Sequence, residues 1–200
     1  MFYEPASGHG LPHDPFKAIV APRPIGWIST LDLQGRPNLA PYSFFNGVCG
    51  SPPMVMFSSE GRKHSASNAE ATGEFVCNFV GHPLKDAMNA TSAPLAEGES
   101  EFDAAGLETA PSRVVKPPRV ALSPAALECK VLSVTELTDL DGRKTRRFVV
   151  IGQVVGVHID EAFLTDGLFD TAKAGALARC GYMDYSATFE TFTLARPAGA

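Results

Sequence analysis

The stretch that decides the fold is Ser43–Ser67, which reads SFFNGVCGSPPMVMFSSEGRKHSAS. Its order predicts a strand end, a Gly/Pro turn, the apolar strand Met54–Phe57, a hydroxyl-rich basic loop and the start of a helix. Arg62 and Lys63 would stand where that helix begins, at the positive end of its dipole. Cations are unfavourable there unless an anion is present. The stretch therefore indicates a strand followed by a local anion site.

The loop has the composition of a phosphate cradle. Free backbone N–H groups at the helix start would act together with the two cations and the hydroxyls of Ser58, Ser59 and Ser65. The alternative is a solvated loop with a serine cap, in which Glu60 balances part of the positive charge. Short Ser/Lys/Arg loops are common, so the spacing alone leaves both interpretations open.

Composition restricts the class of protein. Two hundred residues, 44% of them hydrophobic and 20% charged, fit one globular domain with a single core. A formal net charge of −5 argues against nucleic-acid binding, which needs a basic face. No apolar run approaches the ~20 residues that span a bilayer, and the amino terminus has no secretory pattern. We therefore expect a cytoplasmic protein that binds neither membranes nor nucleic acid.

The cysteines and histidines predict no metal site. No CxxC, HExxH or HxH spacing occurs, and the cysteines stand far apart in apolar contexts. We expect these cysteines to be small buried hydrophobic residues in a reducing compartment. They are Cys49, Cys77, Cys129 and Cys180.

Strand patterns dominate the rest of the chain. Pro22 and Pro24 impose an extended path, so Ile25–Leu31 is predicted as a strand, and Pro37–Phe45 as its hairpin partner across the turn Asp32–Arg36. Further strands are predicted at Glu74–Val80, Leu127–Leu137, Phe148–Ile159 and Thr188–Leu194, and helices at His64–Thr72, Pro83–Asn89 and Thr171–Ala178. The absence of βαβ alternation favours a mainly β, Greek-key barrel with a few short helices. No GxGxxG follows a strand, so the sequence does not support a Rossmann dinucleotide site.

Three other regions complete the predicted organisation. Residues 1–15 read as an arm, 16–186 as the domain and 187–200 as a carboxyl-terminal extension. Pro94–Pro124 is an irregular excursion with a helical turn at Glu101–Ala105, typical of a lid, an interface element or disorder. The apolar run of Phe148–Ile159 indicates burial on both faces, in a barrel core or at a subunit interface.

Several motifs resemble the flavin reductase-like family, the FMN-binding split β-barrel proteins. The resemblance extends over residues 15–186. The matching motifs are Pro22–Thr30, Asn38–Asn46, Pro52–Val55, Gly61–Lys63, Thr72–Asn78 and Leu177–Gly181.

The resemblance implies a homodimeric split barrel that binds FMN rather than FAD near the dimer interface, with NADH or NADPH as hydride donor. The loop matching Ser58–Ser65 takes the phosphate in such proteins, which agrees with the cradle inferred from charge. The other segments that border the flavin match Ser43, Phe44, Phe45, Asn46, Ser29 and Thr30.

The resemblance leaves the catalytic residues unassigned. Hydride passes from nicotinamide C4 to flavin N5, and the protein mainly aligns the two rings. Relatives often read Arg-x-Gly-Gly near the carboxyl end, whereas this chain has Cys180-Gly181-Tyr182. Whether Arg179, Tyr182 or Tyr185 contacts the flavin therefore stays open. Arg23 is either a surface residue or a contact for an anion or a ring, and the sequence does not decide between these roles.

Three functions remain in competition. The first is an NAD(P)H-dependent flavin reductase that supplies reduced FMN to a separate monooxygenase. The second is an FMN-binding electron carrier without turnover of its own. The third is an oxidase of the pyridoxamine-phosphate type.

Overall fold

The computed structural model describes residues 1–95 and 99–197, so parts of the predicted excursion and extension lie outside the described residues. Helices are short in this part of the chain, and none of them is long and apolar enough to cross a membrane. The α-helices are α1 (Phe16–Ile19), α2 (His64–Thr72), α3 (Lys85–Ala90), α4 (Glu101–Ala104) and α5 (Thr171–Ala174). Single 3₁₀ turns occupy Pro5–Ser7, His82–Leu84 and Glu161–Phe163.

Antiparallel strands form the body of the protein, as predicted. The strands are β1 (Arg23–Pro24), β2 (Gly26–Leu31), β3 (Pro37–Tyr42), β4 (Phe45–Gly50), β5 (Pro53–Glu60), β6 (Glu74–Asn78), β7 (Thr109–Ala110), β8 (Arg119–Val120), β9 (Ala125–Thr138), β10 (Lys144–Ile159), β11 (Leu164–Thr165), β12 (Leu168–Phe169), β13 (Leu177–Arg179) and β14 (Tyr185–Ala187). The main sheet has the order β3-β2-β6-β9-β10-β5-β4, and a smaller sheet has the order β1-β13-β14.

The main sheet curls so that its end strand β4 comes back against β2, the second strand from the other end. Phe45 of β4 lies against Gly26 of β2, where an added Cβ would stand 2.4 Å from the phenylalanine ring. Only glycine permits this close approach. Helix α2 packs into the interior through Ala66 and Ala69, both buried. The curl and the helix together give the barrel its closed core.

Alternation along β2 and β6 separates two cores. Ile28 and Cys77 face the barrel interior, where they pack with Phe57. Trp27 faces the opposite way, into a cluster that includes Phe102. The barrel wall therefore has apolar packing on both sides at this point.

Most predicted boundaries are confirmed, and α2 spans the predicted residues. Gly73 ends that helix in the left-handed region, with φ of 73°. The turn at Asp32–Arg36 is also present, with a hydrogen bond from Gly35 N to the Asp32 carbonyl oxygen. Cys77 and Cys129 are buried as predicted, but Cys49 is exposed and Cys180 is only half-buried. A glycine cap and an Asx turn are local signals, and they were sufficient to predict where this helix and this turn end.

Three expectations were wrong. Residues Phe45–Gly50 form a separate strand rather than the end of β3 and a turn. The helix predicted to continue to Ala178 ends at Gly175, a left-handed cap with φ of 62°, and β13 follows. Thr188–Leu194 forms no strand, because the chain leaves the small sheet after β14.

The described part of the excursion is anchored to the barrel wall. Phe102 is buried, and Glu101 accepts a hydrogen bond from Leu39 N at 3.0 Å. Asn78 Oδ1 accepts another from Val120 N at 2.9 Å. These contacts fix the described part of the excursion over the second core, which argues against a lid.

Candidate functional site

The structure brings together the segments predicted to hold a flavin. Ser58 N donates to the carbonyl oxygen of Phe44 at 2.8 Å, joining the end of β5 to the start of β4. Asn38 Nδ2 lies 2.9 Å from Ser65 Oγ and 3.4 Å from Thr30 Oγ1, joining α2 to β2 and β3. The segments 29–30, 43–46 and 58–65 therefore meet at the amino end of α2.

The amino end of α2 offers unsatisfied N–H groups. Its N-cap residue is Lys63, with φ of −71° and ψ of 170°, and no described side chain caps the helix. The first turn contains no acidic residue. The first N–H groups of a helix have no partner within the helix, so this end favours an external anion.

A buried polar network lies directly beneath this turn. Thr30, Asn38 and Ser65 are all buried, and Asn68 Nδ2 donates to Thr30 Oγ1 at 3.2 Å. These four side chains are polar but uncharged. Their hydrogen bonds to one another therefore offset the free-energy cost of removing them from water. The network fixes α2 against the barrel wall.

Tyr42 extends the network to the basic loop. Burial raises the pKa of the Tyr42 hydroxyl, and hydrogen bonds with Ser65 and Ser59 oppose that rise. Ser59 Oγ also donates to the carbonyl oxygen of Gly61 at 2.9 Å. The hydroxyls of Ser59 and Ser65 are thus engaged inside the protein. Ser58, which precedes Ser59 on the strand, faces the other side of β5 and is half-buried.

Ser29 and Thr30 point in opposite directions because they are neighbours on one strand. Thr30 faces the network under α2. Ser29 is fully buried on the other face, beside Leu39 and Val76 in the adjacent strands, and its Oγ has no partner among the described residues. Both side chains are fully buried, so neither is exposed to a ligand in this structure, contrary to their prediction as flavin contacts.

Arg62 is exposed but already engaged. Its guanidinium forms an ion pair with Glu70 on α2 and lies 4.8 Å from the centroid of the Phe148 ring. Glu60, expected to balance the loop, instead pairs with Arg147 at 3.6 Å. Lys63 takes part in no ion pair within the described residues. An incoming anion would meet Lys63 first and would compete with Glu70 for Arg62.

Strand β4 forms one edge of the main sheet. Asn46 is exposed and its Oδ1 accepts from Gly47 N at 2.9 Å. Phe45 packs inward, Ser43 and Phe44 are half-buried, and the remainder of the strand is exposed. An edge strand presents unpaired backbone N–H and C=O groups along its open side. The edge therefore offers polar backbone groups beside the basic loop.

Arg23 has a structural position rather than a surface one. It is 6% exposed, and its guanidinium donates to the carbonyl oxygens of Lys17, Val20 and Cys180. The same group lies 5.7 Å from the centroid of the Phe44 ring. Arg23 thus ties both ends of the chain to the start of β4.

Sequence reasoning missed Asn38, Tyr42 and Asn68. Alternation along the predicted hairpin places Asn38 opposite Thr30, which is a usable signal. Their contacts with Ser65 depend on how α2 is placed, and no local pattern contains that information.

Comparisons with known proteins agree with this architecture. A model of the flavin reductase like domain matches residues 20–176. An uncharacterized protein of Halalkalibacterium halodurans is 37% identical over 184 residues, covering 89% of this chain and 87% of that protein.

Solved structures show the same fold. Nitrilotriacetate monooxygenase component B of Bacillus cereus superposes with a TM-score of 0.86 at 27% identity, covering 97% of this chain and 98% of that one. A Shewanella frigidimarina protein with a split barrel domain gives a TM-score of 0.79 at 27% identity, over 92% and 90% of the two chains. With the curled antiparallel sheet and the matched residues, these findings show that the chain is a split β-barrel member of the flavin reductase-like family.

Proposed function

We propose that this protein binds FMN and transfers hydride to it from NADH or NADPH. The observation that carries the proposal is the uncapped amino end of α2, which has no acid in its first turn and stands next to Arg62 and Lys63. A phosphate carries a charge of about −1.5 to −2 at neutral pH, which suits this site. The family membership makes the phosphate of a flavin nucleotide the natural occupant.

The hydrogen bonds already present in the loop indicate which groups remain available to contact a phosphate. Ser59 and Ser65 hold the loop and the helix in place through their hydroxyls, so their contribution to phosphate binding would come from backbone N–H groups. Arg62 and Lys63 supply the charge. The fit to a phosphate therefore depends on backbone geometry and two cations, supported by the network around Tyr42.

The open edge of β4 suits the flavin ring system. Segment 43–46 lies beside the basic loop, through the hydrogen bond from Ser58 N to Phe44 O. Backbone groups at this edge can hydrogen-bond the polar rim of the ring, while the ring of Phe44 offers apolar contact. The side chain of Phe45 contributes instead to the closure of the barrel against Gly26.

FMN supplies the hydride-accepting ring when it is bound. The residues of this chain bind the phosphate, orient the ring and restrict the approach of the donor. These are positioning tasks, which is consistent with a site that has no pair of titratable groups arranged for acid–base chemistry.

A homodimer would cover the outward face of β5 and β10. Met56 and Ile151 are cross-strand neighbours on this face. Two residues further along the strands, Met54 is paired with Gln153. All four are half-buried in the single chain, while the adjacent inward-facing residue Val150 is fully buried. A second copy is the occupant that we propose for this apolar face.

A separate monooxygenase is the proposed recipient of the reduced flavin. The support is the similarity to component B of nitrilotriacetate monooxygenase, whose printed name makes it one component of a larger system. In the absence of a monooxygenase, the proposed activity would be measured as the NADH-dependent reduction of added FMN.

The phosphate site is tested by replacing Arg62 and Lys63 together with alanine. We expect FMN binding to weaken at least tenfold and riboflavin binding to change less than threefold, since charge-assisted hydrogen bonds contribute about 1.5–3 kcal/mol each. Arg143→Ala with Lys144→Ala is the matched control, because this second Arg-Lys pair lies in the exposed β9–β10 turn. Equal losses for the two flavins would remove phosphate recognition from the proposal.

Turnover is tested by absorbance spectroscopy of the FMN-loaded protein. The flavin bands should bleach on addition of NADH or NADPH without oxygen. Bound FMN that stays oxidised with both donors would favour the electron carrier, and turnover of pyridoxamine phosphate would favour the oxidase.

A further inference from the structure

A second concave site lies away from the residues proposed for FMN. It is an open cavity of about 480 Å³ between the segment 82–89 and the carboxyl-terminal residues from Leu177 to Phe189. None of its lining residues belongs to the segments 29–30, 43–46 or 58–65. The cavity is within the size range of small-molecule sites.

The floor of this cavity is apolar, and its walls combine aromatic rings with polar residues, among them Asp86 and Asn89. Met88 is 2% exposed and Leu177 is 6% exposed, so the floor belongs to the second core. The rings of Tyr185 and Phe189 lie among the lining residues, and Phe189 contacts His82 edge-on at 5.3 Å between ring centroids. Such a surface favours a flat, apolar ring.

One cation at the cavity has no carboxylate partner within the part of the chain that the structure describes. The guanidinium of Arg179 lies 4.3 Å from the centroid of the Tyr185 ring, and its Nη2 donates to the carbonyl oxygen of Tyr182 at 2.6 Å. Among residues 1–95 and 99–197, Arg179 forms no ion pair. Lys85 also lines the cavity, but it pairs with Asp86 at 3.2 Å.

The stacked arrangement orients Arg179 for recognition of an anion. Its plane is fixed by the tyrosine ring and the Tyr182 carbonyl, which leaves further N–H groups for a carboxylate. A guanidinium that stacks on the Tyr185 ring, in a cavity that also has the Phe189 ring and an apolar floor, matches a ligand with a flat ring and one negative group. Because the protein as a whole has a net charge of −5, attraction of an anion to this cavity would come from Arg179 itself and not from the overall charge.

We propose that this cavity binds planar aromatic carboxylates. The ring of the ligand lies on the floor formed by Met88 and Leu177, between Tyr185 and Phe189. The carboxylate pairs with Arg179. This proposal does not depend on FMN binding, because the two sites have no residues in common.

The test uses the full chain and isothermal titration calorimetry with two probes, 2-naphthoate and its neutral analogue 2-naphthamide. We expect saturable binding of 2-naphthoate, at least tenfold tighter than that of 2-naphthamide. Arg179→Gln should weaken 2-naphthoate at least tenfold and change 2-naphthamide less than threefold. The control Arg113→Gln replaces an exposed arginine outside the cavity and should change neither.

A second variant keeps the test decisive if Arg179→Gln fails to fold. Ser186 is exposed and lines the cavity, so Ser186→Trp should block both probes while the circular dichroism spectrum is retained. The variant with alanine at positions 62 and 63 should bind 2-naphthoate as the unmodified chain does, which separates this site from the FMN site. Absence of saturable binding, equal affinity for the two probes, or unchanged 2-naphthoate binding in folded Ser186→Trp would overturn the proposal.

Discussion

Glu128 on β9 is the best place to test how the excursion is held. Its side chain is fully buried and accepts hydrogen bonds from three successive backbone N–H groups, those of Arg113, Val114 and Val115, at 2.6–2.8 Å. His158 Nε2 is its fourth partner. The change that we consider is Glu128→Gln, which keeps the size of the side chain and removes its charge.

The magnitude follows from the pKa of this carboxyl group. Burial alone would raise the pKa of Glu128, but the backbone N–H groups and His158 lower it from 4.5 to about 2. Each pKa unit corresponds to about 1.4 kcal/mol, so the ionised form contributes about 3 kcal/mol to stability. Because the pKa is lower in the folded state, this contribution is complete above pH 4.5 and is lost as the pH falls toward 2.

The assay is thermal unfolding at several pH values, with amide hydrogen exchange at residues 113–115. At pH 7 we expect Glu128→Gln to lower the melting temperature by about 6–12 °C, at about 2–4 °C per kcal/mol for a chain of this size. The difference from the unmodified protein should shrink progressively below pH 4.5. Exchange at the three amides should accelerate more than exchange in β6.

The matched control is Glu136→Gln on the same strand. Glu136 is 21% exposed and pairs with Lys144 at 3.3 Å, so its replacement should cost less than about 1 kcal/mol. If Glu128→Gln lowers the melting temperature no more than Glu136→Gln does, the carboxylate does not hold the excursion, and the reasoning is wrong.

Three further changes test the site and the assembly. Glu70→Gln removes the partner of Arg62 and should tighten FMN binding about two- to fivefold in a fluorescence titration, and unchanged affinity would show that Glu70 does not compete with the phosphate. Asn38→Ala removes one hydrogen-bond donor each from the buried hydroxyls of Thr30 and Ser65 and should lower the free energy of unfolding in urea by about 1–3 kcal/mol; a loss below about 0.5 kcal/mol would contradict the network. Ile151→Asp should convert a dimer to monomers in sedimentation velocity, whereas the exposed Lys144→Asp should not, and a dimer that survives Ile151→Asp would exclude this face.

The fold was largely predictable because its signals are local. Prolines before β2, the turn at Asp32–Arg36 and the cap at Gly73 each fix the backbone within a few residues. Strand β4 escaped prediction because its sequence, Phe45–Gly50, is rich in glycine, and glycine is unfavourable in strands. Its pairing with β5 depends on the rest of the curled sheet, which overrides this weak preference.

The candidate site was predictable in its charges and not in its hydrogen bonds. Arg62 and Lys63 precede α2 as the pattern indicated. The partner of Arg62, however, is Glu70 rather than the nearer Glu60, because β10 brings Arg147 alongside Glu60. Which carboxylate balances which cation is decided by strand pairing, and that information is distributed along the chain.

Strand alternation and helix placement also explain why the serines of the loop make different contacts. Alternation along β5 sends Ser59 into the barrel and Ser58 outward, and α2 turns Ser65 toward Asn38. Hydroxyls that face inward gain hydrogen bonds only if a polar network receives them, and Tyr42 and Asn38 provide that network. The amino end of α2 can then remain without a side-chain cap, since the hydrogen bonds of Ser65 and Asn68 already fix the helix against the barrel wall. A helix end held in this way is preorganised for a ligand, because the free energy that fixes its position comes from the core and not from binding.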